Sequence, residues 1–209
     1  LRFANFATGD MMSFGTMVTI LFTWYFQSLG VSLGILPTAL LAIPFGIMFM
    51  ILYMLLIDKF VFKYYRVSKS PPVQFAMVSI GVMFVTQAVV RIIIGPNDRR
   101  FFDGEKFLVT AGEFKEMTGL NEGLAIKSTQ IITVIVTLAL VSTLFWFLNK
   151  TKTGKSMRAY SDNEDLALLS GIDPKRIVMI TWIIAGILAT IGGTLYGLDK
   201  SFKPFTYFN

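Results

Sequence analysis

The chain has no cysteine and no histidine among its 209 residues. Disulfides, thiolate or imidazole metal sites, cysteine nucleophiles and histidine-based acid–base chemistry are therefore excluded, and we predict no metal site. Charge is also scarce, because 15% of the residues are charged where a soluble domain carries about 25%. A mechanism based on carboxylates, or on serine and lysine, stays open but gains no support from the sequence.

Long apolar runs take the place of the missing charge. Hydrophobic residues make up 54% of the chain, and its mean hydropathy is +0.64. A bilayer core about 30 Å thick needs roughly 20 apolar residues in a helix. Five runs reach this length without the alternation of barrel strands, so we predict an all-α, polytopic transmembrane bundle forming a single domain over residues 1–209. The predicted spans are residues 11–29, 33–57, 73–94, 130–148 and 177–198.

The second predicted span contains two prolines. Pro37 and Pro44 lie within it, and proline removes a backbone donor and clashes with the preceding turn. We therefore predict a kink or a break in this helix.

Lysine and arginine predict the orientation of the bundle. Cytoplasmic loops of membrane proteins carry an excess of these residues. The segments 58–72 and 149–176 are the basic ones, so we predict that both are cytoplasmic. The segment 95–128 mixes both signs of charge and is predicted to be external, as is the tight turn at 30–32. Cytoplasmic and external segments thus alternate along the chain, as five spans require. The basic cytoplasmic segments also account for the formal charge of +6, so we predict no nucleic acid as a partner.

The basic loop 149–176 contains the signals of a short helix. Ser161 or Asp162 can cap its start, because their side-chain oxygens accept from free backbone N–H groups. Gly171 fits the position after the helix, and Pro174 prevents its continuation. Two helical turns are too short to be stable alone in water. Either a groove on another protein or the chain's own surface is therefore expected to hold this helix.

The same helix combines an acidic start with apolar residues that no bilayer would cover. Glu164 and Asp165 fall in its first turn, where negative charge suits the helix dipole. Leu166, Leu168 and Leu169 follow in a loop predicted to face water. This combination predicts a docking surface for a cytosolic partner.

The run from Gly154 to Asp173 resembles the cytoplasmic loop of the permeases of ABC-type branched-chain amino acid importers, the LivH-like subfamily. That loop typically reads Gly-Arg-Ala-Met-Arg-Ala, then an acidic stretch, then Ala-x-Leu-x-Gly-Ile. Residues 5–10 look like the family's Asn-Phe-Ala-His-Gly-Asp segment. Weaker matches in the expected order are the span from Ile80 to Gly95 and the pairs Ala185-Gly186 and Gly192-Gly193.

The chain also departs from the family pattern. Thr8 stands where the family usually has histidine, and Arg91 stands where an apolar residue is common. We also expect the first helix of the family and its last few helices to lie outside these 209 residues. We therefore expect an internal fragment, incomplete at both ends, that would not transport a substrate alone.

The resemblance implies that the loop 149–176 is the coupling loop gripped by an ATPase subunit, in a bacterial plasma (inner) membrane. ATP and Mg would be bound by that partner, because this chain has no Gly-x-x-x-x-Gly-Lys-Ser/Thr motif. The chain itself is then neither an enzyme nor a cofactor protein. The other implied partners are the lipid bilayer, a second homologous permease subunit and an extracytoplasmic substrate-binding protein. The implied coupling residues are Arg158, Glu164, Asp165, Leu166, Leu168, Leu169 and Gly171.

A group of polar residues is predicted to line the substrate path. Polar groups inside a membrane are costly unless they are paired or line a wet cavity. The alternative for the first three residues is solvation at the cytoplasmic interface, or capping of the helix start by Thr8 or Asp10. Arg91, four residues after the last member of the group, could either extend to the outer surface or attract a substrate carboxylate. The predicted path residues are Asn5, Thr8, Asp10 and Gln87.

Small residues recur every four positions in the fifth span. This spacing lets helices approach closely, so we predict a packing face within the subunit or across a dimer. Its residues are Ala185, Ala189, Gly193 and Gly197.

Other classes of membrane protein fit less well. An ion-coupled secondary transporter is expected to hold an acidic residue deep in a span, and the five predicted spans contain none. A membrane-embedded enzyme would need clustered carboxylates, and a pure scaffold would show no transport. Within the importer hypothesis, branched-chain amino acids are the default substrates, with urea, short-chain amides or other amino acids as alternatives.

Overall fold

The computed structural model describes residues 5–31, 33, 36–68, 70–101, 107–109, 126–202 and 204. These residues form an all-α bundle, as predicted, with one short antiparallel pairing between strands β1 (Phe107–Val109) and β2 (Ile126–Lys127). The helices are α1 (Thr8–Ser28), α2 (Ala39–Ile57), α3 (Lys63–Val67), α4 (Pro72–Ile94), α5 (Ser128–Lys150), α6 (Lys152–Asp162), α7 (Glu164–Leu169) and α8 (Pro174–Asp199).

Each predicted span falls on one helix. Within the described part of the chain, four helices are long and apolar enough to cross a membrane, namely Ala39–Val67, α4, α5 and α8. The first predicted span falls on α1, which has 21 residues but is rich in threonine and largely buried by its neighbours.

The second predicted span differs from its helix at both ends. α2 begins at Ala39 rather than at residue 33, since Pro37 disfavours helical geometry in the residue before it. Pro44 lies inside α2, so the helix continues through it. At the other end a π-helical turn, Asp58–Phe62, joins α2 to α3, and the helix extends to Val67. The charged residues Asp58, Lys59, Lys63 and Arg66 of the predicted loop therefore lie on an extension of the helix.

Helices α1, α2 and α8 form the centre of the bundle through glycine–threonine contacts. A Cβ atom on Gly15 would lie 2.5 Å from Thr190 Oγ1, and a Cβ atom on Gly46 would collide with Thr19. The threonine hydroxyls bind the backbone of their own helix, as in the 2.9 Å bond from Thr190 to the Gly186 carbonyl. These bonds satisfy the hydroxyls without water, so α1 can be polar and buried at once.

Two apolar clusters lie on either side of this close contact. One contains Met54, Phe62 and Trp182, and the other contains Ile94 and Phe202. The first cluster lies toward one end of the bundle, which we call the basic end. The basic end is formed by residues 58–72, the end of α5, helices α6 and α7, and the start of α8. The second lies toward the opposite end, formed by the ends of α1, α4 and α8 and the start of α2.

Helix α5 lies at the outside of the described bundle. None of its most apolar 18-residue window is buried, and Leu138 and Phe145 are 63% and 70% exposed. Such a surface suits lipid or further transmembrane helices.

Candidate functional site

Helix α7 is built by local signals at both of its ends. Asn163 is its N-cap and accepts a 3.1 Å hydrogen bond from the backbone N–H of Leu166. At the other end, the N–H of Gly171 donates to Leu168 and that of Ile172 donates to Ala167. With Gly171 at φ +79°, these bonds form the Schellman motif, in which glycine carries the left-handed conformation.

The predicted N-cap was wrong, whereas the predicted end of the helix was right. Ser161 and Asp162 belong to the last turn of α6. They cannot cap α7, because a cap residue needs non-helical backbone. Asn163, with φ −149° and ψ 107°, is the residue at which the chain leaves one helix and enters the next.

The leucines of α7 point away from the protein. Leu166, Leu168 and Leu169 are 60%, 43% and 85% exposed, while Ala167 between them is buried. Glu164 and Asp165, which precede these residues, belong to the exposed first turn. The structure thus brings the predicted apolar and acidic coupling residues onto one short surface, which we call the α7 surface (Glu164–Leu169).

Helix α6 packs against the end of α5 on one side and against α7 on the other. A Cβ atom on Gly154 would lie 2.6 Å from the Cα of Leu148, so only glycine fits this corner. Thr151 caps α6 by accepting a 3.0 Å bond from the Gly154 N–H. Arg158, a predicted coupling residue, is exposed and donates a 2.9 Å hydrogen bond to Asn149 Oδ1.

A tyrosine joins α6 to α7. The Tyr160 hydroxyl donates a 2.7 Å hydrogen bond to Glu164 Oε1. Burial raises the pKa of Tyr160 to about 12, and the neighbouring Glu164 carboxylate adds to this shift. The hydroxyl is therefore protonated at neutral pH and can keep donating to Glu164.

A carboxylate at the basic end that was not predicted from the sequence binds side chains on α3 and α8. Asp58 accepts two hydrogen bonds from Arg66, at 2.6 Å and 2.8 Å. The indole N–H of Trp182 donates to the same carboxylate at 2.6 Å. We call these three residues the Asp58 junction. Its only sequence signal is that Asp58 is the sole acidic residue in the basic segment 58–72.

The predicted path residues divide into two groups. Asn5 and Thr8 make local bonds at the start of α1, since Asn5 Oδ1 accepts from the Ala7 N–H and the Thr8 hydroxyl donates to the Asn5 carbonyl. Asp10 and Gln87 are brought together, because Asp10 accepts a hydrogen bond from Gln87 and lies within electrostatic range of Arg91.

The start of α1 lies partway along α4. The Phe6 N–H donates a 3.1 Å bond to the Ser79 hydroxyl, and Ser79 is seven residues past the start of α4 at Pro72. Arg91 donates a 3.3 Å bond to Gln87 Oε1, one turn earlier on α4, and its charge lies within range of Asp10 on α1.

The predicted packing residues lie on one side of α8. Ala189, Gly193 and Gly197 are buried, and Ala185 is half-buried. A Cβ atom on Gly193 would collide with Thr16 of α1, which places this close contact within the subunit. The partners on α1 and α2 were not predicted from the sequence, although Gly15, Thr19 and Thr23 recur every four residues.

The opposite end carries a shallow cleft of about 440 Å³ lined by Trp24, Gln27, Asp98, Arg99 and Arg100. Trp24 and Gln27 donate to the backbone carbonyls of Arg100 and Phe101, at 3.1 Å and 2.9 Å. Most of the predicted external loop 95–128 lies outside the described residues.

Apolar helices of membrane-spanning length around a tightly packed centre define the chain as a multi-span membrane protein. The family model for the permease component of branched-chain amino acid transport systems matches residues 1–209. The chain therefore belongs to this family, as the sequence analysis predicted.

Individual relatives agree with this assignment. The chain is 26% identical over 197 residues to the high-affinity branched-chain amino acid transport system permease protein LivH of Escherichia coli K12, covering 92% of this chain and 60% of the relative. It is 32% identical over 80 residues to a probable LivH permease of Methanocaldococcus jannaschii, covering 38% of this chain and 25% of the relative. A nucleoside ABC transporter permease, NupB of Lactococcus lactis, is 33% identical over 67 residues, covering 32% of this chain and 18% of the relative. No solved structure matches the chain.

Proposed function

We propose that this chain is part of a transmembrane permease subunit of an ABC importer. The subunit would move branched-chain or related amino acids across a bacterial plasma membrane, with ATP hydrolysed by a partner subunit. The observation that carries the proposal is the α7 surface, whose three leucines are exposed at the basic end of a membrane bundle. Exposed apolar residues with a polar rim are typical of a protein interface.

The partner that fits the α7 surface is an ATPase subunit. Its groove would cover the leucines and meet Glu164, Asp165 and Arg158 at the rim. ATP with Mg would bind between two such subunits, and their closure would draw the coupling loops together. A second permease subunit and an extracytoplasmic substrate-binding protein complete the proposed importer.

The family description supports branched-chain amino acids as the substrate. The match to NupB, a nucleoside permease by name, makes nucleosides the sharpest competitor. Uptake of radiolabelled leucine and of uridine into vesicles containing the complete importer separates the two. We expect ATP-dependent leucine uptake that excess unlabelled isoleucine inhibits and excess uridine does not; ATP-dependent uridine uptake would contradict the assigned substrate class.

Crosslinking tests the ATPase partner directly. The 209 residues contain no cysteine, so Leu168→Cys introduces a single thiol into this part of the full-length protein, with any cysteine elsewhere replaced. A short thiol crosslinker is applied to native membranes, and adducts are identified by mass spectrometry. We expect an adduct with an ABC-type ATPase.

Leu29→Cys is the matched control, because Leu29 is an exposed leucine at the opposite end. It should react only with an impermeant reagent added from the other side and should give no ATPase adduct. Labelling of Leu168→Cys without an ATPase adduct would contradict the importer. Failure of that thiol to react from the cytoplasmic side would contradict the proposed orientation.

A further inference from the structure

The Asp58 junction is a compact link between helices that are far apart in sequence. Asp58 follows α2, Arg66 lies in α3, and Trp182, 124 residues from Asp58, lies in α8. The side chains of Asp58 and Arg66 are 16% and 24% exposed, and Trp182 is 3% exposed. Two parallel hydrogen bonds from a guanidinium fix the orientation of a carboxylate, and the indole fixes it from a third direction.

Aromatic packing reinforces the same link. The rings of Phe62 and Trp182 stack with centroids 5.4 Å apart, and Phe62 is fully buried. Both Asp58 and Phe62 belong to the π-helical turn between α2 and α3. Such turns are rare and are frequent at functional sites. Through this turn, the Asp58 carboxylate and the Phe62 ring both contact Trp182 of α8.

The junction also reaches the α7 surface. Tyr160 of α6 is hydrogen-bonded to Glu164 in the first turn of α7, and α6 packs against α8, the helix that carries Trp182. The Arg66 guanidinium also lies within electrostatic range of the Tyr160 hydroxyl. The connection from the exposed coupling helix therefore runs through α6 to α8, and from Trp182 to Asp58. It ends on α2 and α8, which pack against each other and against α1.

We infer that Asp58 is a positioning residue for energy coupling: it ties the movement of the α7 surface to α2 and α8, so that closure of the ATPase moves the transmembrane helices. This inference rests on the proposed importer function. When one helix moves, a rigid contact with few alternative arrangements transmits the displacement to the neighbouring helix, whereas a loose contact rearranges instead. Coupling is a free energy between two sites, so its loss separates ATP hydrolysis from transport without removing either partner.

The test compares Asp58→Asn with the wild type in the complete importer, reconstituted in proteoliposomes with its ATPase and binding protein. Substrate uptake and ATP hydrolysis are measured on the same sample. Asparagine keeps the shape but loses the charge, and its amide group faces Arg66 with a donor rather than an acceptor. We expect hydrolysis within about twofold of wild type and substrate moved per ATP lower by about tenfold. A purely structural role would lower both rates together, with the amount of assembled complex.

Trp182→Phe provides the second variant, because it keeps a ring against Phe62 and removes the indole donor to Asp58 together with part of the buried ring. It should lower substrate per ATP in the same direction, and it decides the question if Asp58→Asn does not assemble. Asp199→Asn is the matched control, because Asp199 is the last residue of α8, at the opposite end of the bundle and outside the loop 149–176. Asparagine removes a carboxylate that faces the neighbouring Lys200, at 4.0 Å, and leaves the Asp58 junction intact, so coupling should not change.

The outcomes separate this inference from the function on which it rests. Wild-type stoichiometry in both Asp58→Asn and Trp182→Phe, beside a wild-type importer that couples uptake to ATP, would overturn the inference alone. A wild-type complex without ATP-dependent uptake would overturn the proposed function, and the inference with it.

Discussion

At the basic end of the bundle the helices are joined by side chains that bind other side chains, whereas at the opposite end side chains bind the backbone. Asp58 holds Arg66 and Trp182 through its carboxylate. At the opposite end, Trp24 and Gln27 donate to backbone carbonyls in the segment after α4. Both ends are thus tied by a few polar contacts, but the acceptors differ in charge and in origin.

This difference determines which substitutions matter. A backbone carbonyl stays in place whatever side chain its residue carries, so the hydrogen bonds of Trp24 and Gln27 depend only on their donors. At the basic end both donor and acceptor are side chains, and loss of either leaves the other without its partner. An unmatched charged group costs more than an unmatched neutral one, so the basic end is the more sensitive of the two.

The largest expected effect comes from Leu166→Glu. Leu166 and Leu29 are both 60% exposed, at the basic and opposite ends respectively. Glutamate in the first turn of α7 suits the helix dipole, so the helix should persist while its apolar contact is lost. We expect ATPase co-purification to fall by about tenfold or more, since buried contacts at an interface centre dominate its affinity. Leu29→Glu should leave co-purification unchanged, and an equal loss from both variants would remove the distinction between the ends.

The second test compares one arginine from each end. Arg66→Ala leaves the Asp58 carboxylate without its bidentate partner, and we expect a loss of about 2–3 kcal/mol in stability. Arg99→Ala removes two bonds to the Ile94 carbonyl, with an expected loss of about 1 kcal/mol. Thermal unfolding of the full-length protein in detergent measures both. A larger loss from Arg99→Ala would reverse the comparison.

How far these features follow from the sequence depends on the distance between the residues that make them. The end of α7 was predictable, because Gly171 lies only two residues after Leu169, the last residue of the helix, and Pro174 begins the next helix. The Asp58 junction was not, because its partner Trp182 is 124 residues away and depends on how α8 packs against α2. Likewise Asp10 and Gln87 could be marked as polar residues in apolar surroundings, but their contact depends on α1 starting partway along α4.

The prediction of a loop directly after α2 was also wrong. The charged residues of this segment indicated a loop, although no glycine or proline occurs between Asp58 and Ser70. Once α2 has formed, each further residue adds a hydrogen bond at little cost, so the helix continues to Val67.

A third test compares two tryptophans that each lose one hydrogen bond. Trp182→Phe removes a bond to a carboxylate, worth about 1.5–3 kcal/mol, and Trp24→Phe removes a bond to a carbonyl, worth about 0.5–1.5 kcal/mol. Trp182 is also the more buried ring, which adds to its expected loss. Unfolding midpoints in detergent should therefore fall further for Trp182→Phe; equal shifts would mean that the charge on Asp58 contributes nothing to this contact.

The smallest effect is expected from two glycines with the same backbone geometry. Gly30, after α1 at the opposite end, has φ +76°, and Gly171, after α7, has φ +79°. A Cβ atom on either would meet nothing within 4 Å, so alanine should cost only the left-handed conformation, about 1 kcal/mol. The loss of stability should therefore be equal. The effects on function should differ, because only Gly171 ends the helix that presents Leu168. Gly171→Ala should therefore lower the yield of the Leu168→Cys crosslink to the ATPase. The same decrease from Gly30→Ala would show that the yield follows the overall stability of the bundle rather than the shape of the α7 surface.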